Sequence, residues 1–499
     1  TESEGISGAT KSSNGVKAAV NDALSKALVT EPEQPEAGVF AAGTGAKSDP
    51  YLIRTVDQLN AFAASVNSGE TYESQYITLD ADLDLSGESW TPIGGASGSF
   101  CGFFSGDNHV ITGLTIGSKA EPSALEDAGL FGMLGRGGAI RNLGVKDASI
   151  DTKPADVEPA VGILVACMAD SSVVDGCWAT GTVNVNASGT SRYAYIGGLV
   201  GTSGIQSLVC NSWADVQIAV GTGCTEAGAG GIVGWTGNNS AVINCAAFGS
   251  IENNCNAQMM YGAGGIVGYS SGAIYACYSD MTLHADAQSY ENGADVSIGG
   301  IAGGTSYMAA GYQCWFNEEA GQTYYGGDAV AEQVANGYSG INYLPSENEK
   351  CEGLTAAQFA DGTLSAKLAA ALTEEALADA QAYFSGKDIA LLKTITMDTF
   401  MSMSENGWNG WQTEGGRLLP TGESAIAPVD PSDYFAGGEG TQADPYRIAT
   451  AVQLSGFAAA TQAGKLVTRN LYFQLDADIA LTDAWTPIHN FAGTFDGNG

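Results

Sequence analysis

Gly197-Gly198-Leu199-Val200-Gly201, Gly230-Gly231-Ile232-Val233-Gly234, Gly264-Gly265-Ile266-Val267-Gly268 and Gly299-Gly300-Ile301-Ala302-Gly303 are four copies of one motif. Degenerate copies precede them at Gly162-Ile163-Leu164-Val165 and Gly129-Leu130-Phe131-Gly132. The glycines before the apolar pair, at 129, 162, 198, 231, 265 and 300, stand 33 to 36 residues apart. A period of that length is the signature of one supersecondary unit stacked on copies of itself. The apolar runs are about five residues long and bracketed by glycine, which favours short strands over helices. Two or three short strands per turn, repeated in register, describe a parallel β-helix with successive coils about 4.8 Å apart.

Each unit carries a second landmark at a fixed phase: Val174-Asp175-Gly176-Cys177-Trp178, Val209-Cys210-Asn211-Ser212-Trp213, Val242-Ile243-Asn244-Cys245-Ala246, Ile274-Tyr275-Ala276-Cys277-Tyr278 and Tyr312-Gln313-Cys314-Trp315. Stacking puts Cys177, Cys245, Cys277 and Cys314 in one inward column, interrupted by Ser212. Strand alternation then turns Trp178, Trp213, Tyr278 and Trp315 outward as a candidate ligand-binding column. An asparagine bend at Asn211 or Asn244 could break that parity, and the commoner arrangement for such aromatics is packing beneath a loop. Cys224 and Cys255 follow the column in loops of neighbouring coils and form the disulfide candidate.

The formal charge is −36, from 19 basic and 55 acidic residues. Between Pro154 and Glu349 the only Lys or Arg is Arg192. Nucleic acids and polyanionic glycans need cations to neutralise them, so both are excluded as expected partners. No run of about 20 apolar residues exists to span a membrane. Thr1 opens the chain without a methionine and Gly499 ends it inside a motif, so a mature exported product continuing past Gly499 is the expectation.

Residues 1–37 read as a loosely ordered leader segment. Residues 38–343 form the expected β-helix, opened by a capping helix near 55–67, where Thr55-Val56-Asp57-Gln58 is a capping box and Val56, Leu59, Phe62, Ala63 and Val66 make one apolar face. Such a helix shields the open edges of the first coil. Residues 344–422 lose the glycine repeat and read as a helical C-terminal cap; 423–433 reads as a linker. At 434–499 the opening sequence recurs: Asp444-Pro445-Tyr446-Arg447-Ile448 answers Asp49-Pro50-Tyr51-Leu52-Ile53, and Trp485-Thr486-Pro487-Ile488 answers Trp90-Thr91-Pro92-Ile93, marking the start of a second, truncated β-helix.

These stretches, with Leu79-Asp80-Ala81-Asp82-Leu83-Asp84-Leu85, Phe104-Ser105-Gly106-Asp107-Asn108-His109 and Phe491-Ala492-Gly493-Thr494-Phe495-Asp496-Gly497-Asn498-Gly499, resemble the GLUG-motif proteins of bacterial cell surfaces. The resemblance covers about 38–420 and 434–499. It implies an all-β solenoid, a right-handed parallel β-helix with helical capping segments, in secreted or wall-attached bacterial proteins that are often adhesins. The motif has no catalytic residues to carry over.

A non-enzymatic, adhesin-like surface protein presenting a face to a neutral glycan or a surface protein is therefore the leading expectation. The rival is a β-helix polysaccharide hydrolase or lyase. Its hydrolytic form needs paired carboxylates, and the Asp-Asp, Gly-His-Gly and Arg-x-Lys signatures of polygalacturonases are missing. Asp80, Asp82 and Asp84 at alternate positions invite a calcium reading. The internal copy keeps Asp476 and Asp478 but has Ala480 third, which favours a solvated acidic face and no cofactor. His109, His284 and His489 lack zinc spacing, and no nucleophile elbow is present.

Overall fold

The computed structural model describes residues 38–95, 98–155, 158–187, 193–224, 226–255, 262–285, 297–305, 310–320, 322–324, 351–386, 397–404, 406–422, 424–426 and most of 434–499. The leader assigned to 1–37, Arg192 and the linker positions 427–433 lie outside them.

The first unit is a parallel β-solenoid. A central coil runs Ala194–Gly197, Val200–Ser203, Leu208–Cys210, Trp213–Val220, and the next begins at Ala227–Gly230. Each coil thus has four strands where two or three were expected, because the Gly-Gly bend divides one apolar run and the strand after the landmark extends to eight residues. Four sheets result: two six-stranded arch sheets on either side of the Gly-Gly bend, a nine-stranded flank sheet, and an eleven-stranded sheet containing the long strands. Pairing is parallel and in register, as in Val200↔Val233↔Val267↔Ala302 and Trp178↔Trp213↔Ala246↔Tyr278↔Trp315.

Each glycine of the motif has its own steric cause. A Cβ on Gly264 would lie 1.9 Å from the Val267 carbonyl oxygen of its own coil. On Gly265 it would lie 2.0 Å from the Gly300 oxygen one coil on, and on Gly268 2.5 Å from the Ala229 nitrogen of the opposite arch strand one coil back. The bend is a place where three backbones touch, and the apolar residues between the glycines, Leu199, Ile232, Ile266 and Ile301, are fully buried.

At the corner between flank and long sheets one residue per coil has positive φ: Asn142 (51°), Gly176 (66°), Asn211 (50°), Asn244 (56°), Ala276 (52°) and Gln313 (50°). Asparagine and glycine dominate because they reach the left-handed region at least cost. The bend leaves the following cysteine facing in and the aromatic facing out. Cys177, Cys245, Cys277 and Cys314 are fully buried, and burial pushes the Cys177 thiol up to about 12.

The helix Val56–Asn67 starts at Thr55, whose hydroxyl accepts from the Gln58 amide, while Gln58 caps Arg54. Its buried Leu59, Phe62, Ala63 and Val66 seat on the first coil, with Phe62 5.5 Å from Phe100 and 6.0 Å from Phe104.

The segment read as an end cap is helical, at Ala356–Ala360, Thr363–Ala371, Glu374–Gly386 and Met397–Met403, but it packs along the side of the rod. The reason lies in the flank strands. Leu208–Cys210, Ala241–Ile243 and Ala273–Tyr275 are buried at every position, so both faces are apolar. Leu208, Ile243, Tyr275 and Tyr312 share one cluster with Leu364, Leu368, Phe384 and Phe400 of the helices. The stretch read as a linker also contains structure, since Ser424–Ile426 pairs antiparallel with Trp408–Asn409.

The second unit repeats the opening: the strands Tyr446–Ile448, Tyr472–Leu475 and Thr494–Asp496 pair in parallel, and the helix Ala451–Gln462 places Phe457 against Phe473 at 4.8 Å.

Candidate functional site: the outward aromatic columns and their cover

Trp178 and Trp213 face out and stack at 5.0 Å with 4° between their planes. The other face of Trp178 lies over the preceding coil, where a Cβ on Gly144 would be 2.4 Å from its ring. Both faces of Trp178 and one face of Trp213 are therefore spent within the ladder, leaving mainly ring edges toward solvent. Tyr278 and Trp315, expected in the same binding column, are 1% and 6% exposed. The flank helices and the chain after them cover Tyr278: its hydroxyl donates to the Leu418 carbonyl, and its ring lies 5.8 Å from Phe359 and 5.4 Å from Trp411, while Trp315 belongs to the same buried cluster. The four aromatics do not form an open face. Their sequence periodicity reported the stack and not the cover.

The cover is a strap, residue 404 and residues 406–420, laid on the asparagine corner. The Asn211 side-chain amide donates to the Gly407 carbonyl (2.8 Å) and to the buried Asp175 carboxylate (2.7 Å). The Asn409 backbone N–H donates to the Asn211 amide oxygen (2.9 Å), and Asn244 donates to the Asn409 carbonyl (2.7 Å). Asp175 also accepts from the Ser404 hydroxyl at 2.8 Å. Asn406 donates to Asn142 at 2.8 Å, and Arg141 donates to the Met403 carbonyl at 3.4 Å. Corner residues of four coils, from Asn142 through Asp175 and Asn211 to Asn244, thus hold one extended segment. Trp408, fully buried, is its anchor. Farther along, Arg417 pairs with Asp215 at 2.5 Å and lies 4.6 Å from the Phe248 ring.

A second set of aromatics was missed by the sequence reading. The outward position that follows the glycine motif is Thr202, Trp235, Tyr269 and Gly304 on successive coils. Tyr195 of the neighbouring arch strand lies 5.8 Å from Trp235, tilted by 38°, and Tyr193 is 6.4 Å from Tyr195. All four rings are half-buried. The signal was the aromatic directly after Gly234 and Gly268, obscured because Thr202 and Gly304 interrupt the column.

The calcium candidates are not brought together. Arg54 donates to Asp80 at 2.6 Å, Val110 N–H and His109 Nδ1 lie 2.9 and 3.0 Å from Asp82, and Ser86 N–H donates to Asp84 at 2.9 Å. The Val110 amide, then His109, holds the Asp82 carboxyl below its usual range. Each carboxylate has a separate partner, and no group of three metal-binding side chains occurs among the described residues. The disulfide candidates Cys224 and Cys255 are neighbouring, fully buried free thiols that sit in the core and not in exposed loops. Burial, then the neighbouring Cys224, pushes Cys255 up to about 12. No helix among the described residues is long and apolar enough to cross a membrane.

No protein-family model matches the chain. It is 37% identical over 111 residues to a protein of Evansella cellulosilytica named "Putative Gly-rich membrane protein", which covers 22% of this chain and 12% of that protein. It is 36% identical over 169 residues to "Halomucin" of Haloquadratum walsbyi, over 32% of this chain and 2% of that protein. The chain therefore spans a small part of these curated relatives. Among solved structures it is similar to a "putative immunoglobulin A1 protease" from Bacteroides ovatus (20% identity, TM-score 0.45, covering 67% of this chain and 91% of that one). It is also similar to an "IgA1 Protease" (16% identity, TM-score 0.37, covering 61% and 21%). These names correct the expectation of a non-enzymatic chain: both of these similar structures are named after an enzyme, and missing polygalacturonase and zinc signatures exclude only those chemistries.

Proposed function

We propose that this chain is a solenoid module of a large exported, cell-surface protein of the GLUG-motif kind, where it holds an adhesin-like binding face away from the cell. The observation that carries the reading is the unbroken nine-strand flank ladder from Tyr51–Ile53 to Ala310–Tyr312, closed at its start by a helix and followed by a second unit with the same opening. A stacked rod adds length by repetition, and tandem units multiply whatever face they present. The relatives named for a membrane protein and a mucin support the surface assignment. Uncharged glycan or a surface protein is the partner class, because a chain of charge −36 repels nucleic acid and sulfated or uronic glycans.

Antibodies raised against the 499-residue chain are expected to label intact cells of the organism that makes it, and brief external protease treatment should remove the signal. Labelling that needs permeabilised cells and survives the protease would reject the surface assignment.

A further inference from the structure

The inward cysteine column has one reachable end. Cys245, Cys277 and Cys314 occupy it on successive coils, fully buried, each thiol donating to the carbonyl two residues earlier. Cys351, the first residue of the strand Cys351–Leu354, adds a further thiol in direct register with Cys314. That strand ends the eleven-stranded sheet, and Cys351 is only half-buried. Both thiols are free. The hydrogen bond to Cys314, then burial, pushes the Cys351 thiol well above its ordinary range.

Register sets the spacing. Neighbours paired on parallel strands lie about 4.8 Å apart, inside the roughly 4.4–6.8 Å between Cα atoms that a disulfide spans. Bridging asks the Cβ atoms to close to about 3.5–4.5 Å. The first residue of a terminal strand can make that adjustment, whereas Cys245 and Cys277 are locked between coils on both sides. The other half-buried cysteines have no such neighbour: Cys167 is in register with Met133 and Thr202, and Cys101 has the Ser99 hydroxyl at 3.6 Å.

We propose that Cys314 and Cys351 form a thiol–disulfide exchange site that staples the last coil to the strand leading into the flank helices. The Cys351 thiolate attacks a small disulfide, RSSR, and displaces one RS⁻. Cys314 then attacks the Cys351 sulfur of the mixed disulfide and displaces the second RS⁻. The pair gives up two protons and two electrons, and RSSR becomes two RSH. One reachable thiol is enough, because the second only has to meet the mixed disulfide. The joint matters mechanically: Cys351–Leu354 runs directly into Thr355, the cap of the helix Ala356–Ala360. Without the staple, that joint rests on four paired residues and on contacts such as Lys367 to Glu352 and the Ala356 N–H to Glu319. The proposal concerns which two thiols exchange and stands independently of the surface assignment.

The reduced full chain is incubated with oxidised glutathione, remaining thiols are alkylated with N-ethylmaleimide, and unreduced peptic peptides are mapped by mass spectrometry. Cys314 should be joined to Cys351, with Cys245 and Cys277 recovered alkylated. The oxidised chain should melt several degrees above the reduced one, and Cys351→Ser should abolish that difference. The peptide map of the parent decides even if the variant does not fold. Glutathione retained on Cys351 without the link, Cys351 joined to another cysteine, an unmodified Cys351, or a linked pair that leaves melting unchanged would each overturn the staple.

Discussion

Trp408→Ala is expected to release the strap and lower stability by about 3–5 kcal/mol, the usual cost of deleting a large buried ring. Trp408 is fully exchanged from water into the cluster that joins the flank helices to the outer side of the coils. Without it, only hydrogen bonds such as those from Asn211 and Asn244 to the Gly407 and Asn409 carbonyls, with the Arg417–Asp215 pair, hold the extended segment. Each of those hydrogen bonds is worth only about 0.5–1.5 kcal/mol net. Hydrogen exchange should show residues 406–420 opening in the variant while amides of Val200–Ser203 and Val233–Thr236 stay protected. Tyr278 and Trp315 would then become accessible to solvent. Trp408→Phe should keep most of the stability, because the indole N–H has no partner among the described residues and contributes packing alone. Equal protection of 406–420 in the alanine variant and the parent would show that the anchor lies elsewhere.

Gly264→Ala should be at least as damaging as a typical overpacking change, about 3 kcal/mol or more. The added methyl would meet the Val267 carbonyl at 1.9 Å and the Gly303 amide nitrogen at 2.4 Å, both backbone atoms, so no side chain can swing away to admit it. Relief requires shifting one coil against the next, and the in-register neighbours on both sides resist that shift. Gly497→Ala is the matched control, since nothing lies within 4 Å of its Cβ position and its φ is not positive. Thermal unfolding should separate the two by several degrees, the arch glycine falling and the control holding. A Gly264→Ala chain that melts with the parent would mean that the motif marks something other than backbone contact.

Much of the first unit could be read from the order of residues. The glycine period gives the coil length, Thr55 and Gln58 announce the capping helix, and the cysteine phase fixes which side chains enter the narrow interior. These are local or strictly periodic signals, and stacking converts periodicity directly into contact. The strap is neither. Asn211 reaches Gly407 across 196 residues and Asn142 reaches Asn406 across 264, with no repeat linking them. Its one trace was the doubly apolar flank, as in Leu208-Val209-Cys210 and Ala241-Val242-Ile243, which announces a second layer without naming it. The sequence leaves both an outward column and packing beneath a loop open at Tyr278 and Trp315, and that second layer is what packs against them. The alternate aspartates share a face, as the sequence suggests, and Arg54, His109 and Ser86 pair with Asp80, Asp82 and Asp84 one by one.

The stacked coils are tested most directly by a distance across several of them. Thr115, Ser149, Thr182, Gln217, Ser250 and Thr282 are successive in-register neighbours on the long sheet. Nitroxides attached at 115 and 282 through non-cysteine chemistry, which spares the native thiols, can be measured by pulsed electron resonance. Five steps of about 4.8 Å give a backbone separation of about 24 Å and a single narrow distance distribution. A broad distribution, or one centred beyond about 40 Å, would contradict the shared axis on which the arch glycines, the asparagine corner and the strap all depend.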